Sequence, residues 1–143
     1  MTEKKYALIT GATGGLGKAF VYETAKDGYS LLLTGRSIDK LTALREELLG
    51  QFPDTEVRLY AADLSSENSR KQLMEKIAEE GLTISLLANV AGADIQKGLT
   101  EYTEEKICFQ CRVNFEAAVS LGRFAIERKS THPNNLLQQH QNF

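Results

Sequence analysis

Hydrophobic residues occur along the chain in short continuous runs, which alternate with longer segments where they recur every three or four positions. Continuous apolar runs are typical of strands buried on both faces, and the longer period is typical of helices with one buried face. The runs predict strands at residues 5–10, 29–34, 56–61 and 82–90. The longer segments predict helices at residues 15–26, 38–49, 66–80 and 103–129.

Successive β-α units predict a parallel sheet with right-handed crossovers and helices on both of its faces. The predicted fold class is therefore a doubly wound α/β domain with about four strands and four helices. A length of 143 residues suits a single domain. We predict that this domain occupies residues 1–129 and that residues 130–143 form an irregular polar tail.

The charged residues are nearly balanced, with 17 lysines and arginines against 19 aspartates and glutamates and a net charge of −2. They are scattered and form no basic stripe, so we expect no nucleic-acid partner. The chain has no run of about 18 apolar residues, and its first residues, MTEKKYALIT, lack the features of a signal peptide. We therefore expect a cytoplasmic protein without a membrane partner.

The two cysteines, Cys108 and Cys111, form a C-x-x-C pair that allows two interpretations. A redox pair needs a thiol with a lowered pKa, usually at the start of a helix. These cysteines fall inside the last predicted helix, which favours apolar packing over redox chemistry. Their spacing from His132 and His140 does not match a zinc finger, so we predict no metal site.

The turn between the first predicted strand and helix, TGATGGLG at residues 10–17, has four glycines in seven positions. Such a turn lets backbone N–H groups and the positive end of a helix approach a phosphate. A P-loop would need glycine at position 12 and serine or threonine at position 19, and both are alanine. The pattern G-x-G-x-x-G also fails, because Phe20 stands where its third glycine would be.

The spacing that is present, T-G-x-x-x-G-x-G, resembles the glycine loop of the short-chain dehydrogenase/reductase family. The resemblance extends over residues 5 to about 129 and implies a Rossmann-type fold that is incomplete in this chain. Three further segments match motifs of the family in the right order: Asp63-Leu64, Asn89 to Gly92 (NVAG) and Val113-Asn114.

The resemblance implies a role for each matching segment. The glycine loop would cradle the pyrophosphate of NAD(P), the pair after the third strand would contact adenine, and Asn114 would hold a catalytic water. Taken singly, Asp63 could instead cap the next helix and Asn114 could be an ordinary solvent-facing position. The family often pairs through its fourth helix, which implies a homo-oligomer. The implied cofactor-binding residues are Gly11, Thr13, Gly15, Leu16, Gly17, Asp63, Leu64, Asn89, Ala91 and Gly92.

The choice between the two nicotinamide cofactors depends on the end of the second predicted strand. An acidic residue there binds the ribose 2′-hydroxyl of NAD, whereas an arginine accepts the 2′-phosphate of NADP. This chain has Arg36 at that place and no carboxylate before Asp39. We therefore predict NADP(H) rather than NAD(H), the alternative being that Arg36 is a solvated loop charge.

The family reaction is hydride transfer between the nicotinamide and a carbonyl or secondary alcohol, and it uses a serine and a Tyr-x-x-x-Lys pair. These follow the fourth helix in the family, whereas Tyr22–Lys26 and Tyr102–Lys106 both precede Asn114. We therefore expect this chain to bind NADP(H) but to be inactive. The alternatives are a non-catalytic nucleotide-binding or interaction module, or a frameshifted fragment without function.

The fourth predicted strand would lie next to the family's fifth strand. Without that neighbour, its apolar residues from Ile84 to Asn89 would form an exposed sheet edge, which is an aggregation hazard. We therefore predict marginal stability.

Overall fold

A computed structural model describes residues 3–94 and 96–129 of the chain. The predicted tail at residues 130–143 lies outside the described residues. Strands and helices alternate along the chain in the following order: β1 (Tyr6–Ile9), α1 (Gly15–Lys26), β2 (Ser30–Gly35), α2 (Ile38–Gln51), β3 (Val57–Ala61), α3 (Glu67–Glu79), β4 (Leu86–Ala88), a 3-10 turn (Leu99–Glu101), α4 (Glu104–Cys111), a π-helical segment (Arg112–Glu116) and α5 (Ala117–Glu127).

The four strands form one parallel sheet in the order β3-β2-β1-β4. Strand β1 lies inside the sheet, where Leu8 pairs with Leu32 of β2 on one side and with Leu87 of β4 on the other. Strands that follow one another in the chain are joined by connections that each contain a helix, and the connection through α3 carries the chain from β3 at one edge to β4 at the other. The parallel, doubly wound arrangement predicted from the hydrophobic pattern is confirmed.

Two apolar clusters cover the two faces of the sheet, because successive strand residues point to opposite sides. In β2, Leu31 and Leu33 belong to the cluster that packs against α1 and α2, whereas Leu32 belongs to the cluster under α3 and α5. Both sides of this strand are fully buried. The run SLLLT is therefore apolar throughout because neither face of β2 meets water.

Most of the long helices begin with a side-chain cap. Ser37, Ser66 and Thr103 accept hydrogen bonds from the backbone amides three residues later and so start α2, α3 and α4. Helix α1 differs, since Gly14 precedes it and no side chain caps it. Its first amide groups are left for another acceptor.

The fourth strand is shorter than predicted. The hydrophobic run covers residues 82–90, but only Leu86–Ala88 joins the sheet. Before the strand, the backbone bonds to the end of α5 instead, since the Ile84 amide donates to the Arg128 carbonyl at 2.9 Å. The Arg128 guanidinium in turn donates to the Leu82 carbonyl at 2.8 and 3.0 Å. Burial against this helix, rather than strand pairing, explains the first part of the run.

The last predicted helix is divided into three parts. Residues 103–129 were expected to form one regular helix, whereas the structure has a π-helical segment between α4 and α5. Helix α4 has no buried residue, and both Cys108 and Cys111 are exposed, free thiols. The prediction that the cysteines pack in an apolar interface is therefore wrong, because the buried face of the helix begins only at Ala117.

Strand β4 lies at the edge of the sheet within the part of the chain that the structure describes. A shallow groove of about 200 Å³ runs between β4 and α5 and is lined mainly by apolar residues. The consequence predicted for this edge, marginal stability, stays a prediction. None of the helices in the described ranges is long and apolar enough to cross a membrane.

Candidate functional site

The loops after the carboxyl ends of all four strands surround a cleft of about 620 Å³. In open α/β sheets, ligands bind in the crevice outside this end of the strands. Two predicted site residues, Asn89 and Asn114, are not part of its lining. The other ten line the cleft: Gly11, Thr13, Gly15, Leu16, Gly17, Arg36, Asp63, Leu64, Ala91 and Gly92.

The glycine loop is held in close contact with its neighbours by residues that have no side chain. Gly11 has a φ of +60°, and a Cβ there would lie 2.8 Å from the Ala91 nitrogen. A Cβ on Gly17 would lie only 1.8 Å from the Gly11 carbonyl oxygen. Both positions therefore require glycine if α1 is to begin at this place in the cleft.

The start of α1 is suited to an anion. Gly14 provides no side-chain cap and the first turn carries no acidic residue. The unbonded amides of the first turn and the helix dipole make such an end electropositive. Because Gly15, Leu16 and Gly17 line the cleft, this end faces the cleft and can hold a phosphate group.

Thr10 joins the glycine loop to the loop after β4. Its side chain is 1% exposed, and its hydroxyl oxygen accepts hydrogen bonds from the Val90 and Ala91 amides, each at 3.0 Å. The same hydroxyl donates to the Ala88 carbonyl at 3.4 Å. The sequence pattern includes Thr10 only as the first letter of the motif. A polar residue that ends a buried strand needs such partners, and that requirement is the signal that could have identified it.

Asp63 follows β3 and its carboxylate is held in place by Ser65. The carboxylate accepts hydrogen bonds from the Ser65 amide at 3.0 Å and the Ser65 hydroxyl at 2.6 Å. The hydroxyl bond lowers the pKa of Asp63, and the positive charge of Arg36 adds to that effect. The cap of α3 is Ser66, so the alternative that Asp63 caps this helix is wrong.

Arg36 follows β2, is exposed and lines the cleft. Its guanidinium forms no hydrogen bond or ion pair with any residue in the described ranges. Arg36 and the glycine loop line the same cleft. The guanidinium is therefore available to a second anionic group of the same ligand.

Asn114 lies in the π-helical segment, and its side chain forms hydrogen bonds to the loop after β4. Its side-chain oxygen accepts from the Ala93 amide, and its side-chain nitrogen donates to the Ala93 carbonyl, both at 2.7 Å. It is thus not an ordinary solvent-facing position. Asn89 donates to the Ala118 carbonyl of α5 at 3.3 Å. Both asparagines therefore fix the loop that carries Ala91 and Gly92 instead of lining the cleft.

Comparison with known proteins agrees with this arrangement. The sequence model of the short chain dehydrogenase family matches residues 5–132. A very-long-chain 3-oxoacyl-CoA reductase-like protein of Arabidopsis thaliana is 31% identical over 123 residues, which are 85% of this chain and 39% of that protein.

Two solved structures share the fold. A short-chain dehydrogenase from Sphingobium yanoikuyae in complex with NADPH has 27% identity and a TM-score of 0.79, over 87% of this chain and 48% of that one. An alcohol dehydrogenase from Thermococcus sibiricus complexed with 5-hydroxy-NADP has 30% identity and a TM-score of 0.80, over 88% and 53%. The chain thus spans about half the length of these solved relatives. With its parallel sheet, its glycine loop and this match over most of its length, the chain belongs to the short-chain dehydrogenase family.

Proposed function

We propose that this chain binds NADP(H) in the cleft at the carboxyl end of the sheet. The observation that carries the proposal is the pairing of two anion-binding features on one cleft. The uncapped start of α1 offers backbone amides, and Arg36 offers an unpaired guanidinium. A dinucleotide with a pyrophosphate and a 2′-phosphate has one anionic group for each.

The remaining lining residues suit the other parts of the cofactor. Leu64 and the backbone of Asp63 provide a surface for adenine, and the loop held by Asn114 provides one for the nicotinamide half. When bound, NADPH supplies a hydride. The two solved relatives described above carry NADPH and 5-hydroxy-NADP, which supports a phosphorylated cofactor here.

The family reaction, hydride transfer between NADP(H) and a carbonyl or secondary alcohol, is proposed for the protein only with a proton donor. The 143 residues contain no Tyr-x-x-x-Lys pair after Asn114, and neither Tyr22 nor Tyr102 lines the cleft. Loss of general acid catalysis alone lowers a rate by about 10² to 10⁴-fold. These residues alone are therefore expected to bind the cofactor with little turnover.

Fluorescence titration tests the proposal directly. NADPH added to the 143-residue protein should bind saturably and more tightly than NADH, because only NADPH has a phosphate for Arg36. Absence of saturable binding would overturn the proposal. A panel of ketones with NADPH then separates an enzyme from a binding module, and a circular dichroism melt identifies a fragment that does not fold.

A homo-oligomer through the last helix is also proposed. Phe115, Val119 and Ile126 are 71%, 57% and 65% exposed, and their spacing of four and seven residues places them on one side of the helix. An exposed apolar strip of this kind suits a second copy of the chain. Sedimentation at several protein concentrations checks this.

A further inference from the structure

Arg70 is a buried charge that bonds to residues from two separate parts of the chain. It is the fourth residue of α3, and its side chain is 4% exposed. One arm of the guanidinium, Nη1, donates to the Leu64 carbonyl at 2.8 Å. The other arm, Nη2, forms a short ion pair with Glu116 at the end of the π-helical segment.

Leu64 belongs to one wall of the cleft, whereas Glu116 belongs to the segment that supports the opposite wall. The first wall, residues 62–64, follows β3. Besides the bond from Arg70, α3 makes a second bond to this wall, in which the Asp63 amide donates to the Ser69 hydroxyl at 2.9 Å. The second wall, residues 90–93, follows β4 and is held by Asn114, two residues before Glu116. Arg70 therefore connects the support of one wall to the support of the other.

Arg70 depends on the ion pair more than Glu116 does. A guanidinium removed from water needs hydrogen-bond acceptors for its N–H groups, and the Leu64 carbonyl satisfies only part of that need. Glu116 is half exposed and can be hydrated without a partner, so the requirement comes mainly from Arg70. Removing the Glu116 carboxylate leaves the buried charge underpaired and removes the ion pair between the π-helical segment and α3.

We propose that the Arg70–Glu116 pair is a positioning pair, which sets the separation of the two walls so that one dinucleotide can contact both. This inference rests on the proposed function, because it concerns a ligand long enough to reach from residues 62–64 to residues 90–93. A ligand that reaches only the first wall does not depend on that separation.

Calorimetric titration of the 143-residue protein with two ligands tests the proposal. Adenosine 2′,5′-bisphosphate represents the adenine end alone, and NADPH spans the cleft. In Glu116→Ala, the Kd for NADPH should rise about tenfold, because part of the binding free energy is then needed to restore the separation of the two walls. The Kd for the bisphosphate should change less than about twofold. Glu116→Gln, which keeps an acceptor oxygen, should recover most of the NADPH affinity.

The matched control is Glu127→Ala, which removes an exposed carboxylate paired with Arg123 on the neighbouring helix. It should change neither affinity. Equal losses for both ligands in Glu116→Ala would show a general structural role and overturn the proposal, as would unchanged NADPH affinity. If the unmodified protein binds neither ligand, the proposed function itself fails, which is a distinct result from binding that the substitution does not affect.

Discussion

The charged groups at the two ends of the sheet differ in their internal hydrogen bonds. At the amino end, Glu56 accepts four hydrogen bonds, which come from Lys4, Tyr6 and twice from Arg58. Arg58 and Tyr60 also donate to Glu80, each at 2.7 Å. At the carboxyl end, Arg36 has no such partner in the described part of the chain.

This difference separates residues that stabilise the fold from residues that are available to bind a ligand. Charges that satisfy one another contribute to folding and leave nothing for an external molecule. An unpaired guanidinium and an uncapped helix contribute little to folding, but they bind an anion without first breaking an internal contact. The comparison therefore supports the proposed binding site in the cleft on grounds independent of any motif.

The largest expected effect comes from Gly17→Ala at the carboxyl end. The new Cβ would overlap the Gly11 carbonyl, so α1 and the glycine loop must move apart. We expect the free energy of unfolding to fall by about 3 kcal/mol and NADPH binding to be lost. Chemical denaturation measures the first and fluorescence titration the second.

Gly15→Ala is the matched control for stability, because a Cβ there meets nothing within 4 Å. It should leave the protein at least as stable, since alanine favours a helix over glycine. Equal destabilisation by both substitutions would contradict the close-contact explanation.

Arg36→Asp should have the next largest effect, and only on binding. Loss of the guanidinium and introduction of a like charge should weaken NADPH binding by about thirtyfold and shift preference towards NADH. The free energy of unfolding should change by less than about 0.5 kcal/mol, because the side chain is exposed and forms no hydrogen bond or ion pair with the residues that the structure describes. Arg123→Asp makes the same charge change at an exposed site outside the cleft. Cofactor affinities that are the same before and after Arg36→Asp would remove the basis for the NADP assignment.

The smallest expected effect concerns the amino end and its dependence on pH. Burial alone would raise the pKa of Glu56, but hydrogen bonds from Tyr6, Lys4 and Arg58 outweigh it and lower the pKa to about 2. A carboxyl whose pKa is lower in the folded state stabilises the fold above its unfolded pKa near 4.5. That stabilisation is lost as the pH falls from about 4.5 through 2.

Glu56→Gln should therefore lower the free energy of unfolding at pH 7 by about 1 kcal/mol, because the partly exposed partners are screened by water, and flatten its decline at acid pH. Urea denaturation between pH 7 and pH 2.5 measures both. NADPH affinity at pH 7 should stay the same, because this network lies at the other end of the sheet. An acid-induced decline as steep as that of the unmodified protein would show that other carboxylates cause it.

Local patterns in the sequence are sufficient to predict the parallel sheet and the place of the cleft. Continuous apolar runs mark buried strands, and parallel strands bring their carboxyl ends together, so Gly11, Arg36, Asp63 and Ala91 come to one cleft. Each of these depends on its position after a strand, which the sequence shows directly.

Contacts between distant residues could not be predicted in this way. Thr10 bonds to residues about 80 positions away, and Arg70 bonds to Glu116, 46 positions away. The hydrophobic run also does not reveal that the chain before β4 bonds to Arg128. Cys108 is exposed because the buried face of the last helix starts only at Ala117, which packs against the core.

The π-helical segment also affects how the last helix contributes residues both to the cleft and to the hydrophobic core. Phe109 and Val113 line the cleft, and Ala117, Leu121 and Ala125 lie in the core, at a constant spacing of four. In a regular α-helix, residues four apart advance by about 40° around the axis, so such a series drifts away from any single direction. The wider π turn in the middle offsets part of that drift. The cleft residues and the core residues of this helix therefore stay closer to one side than a regular α-helix would keep them, so the wall of the cleft and the hydrophobic core share one support.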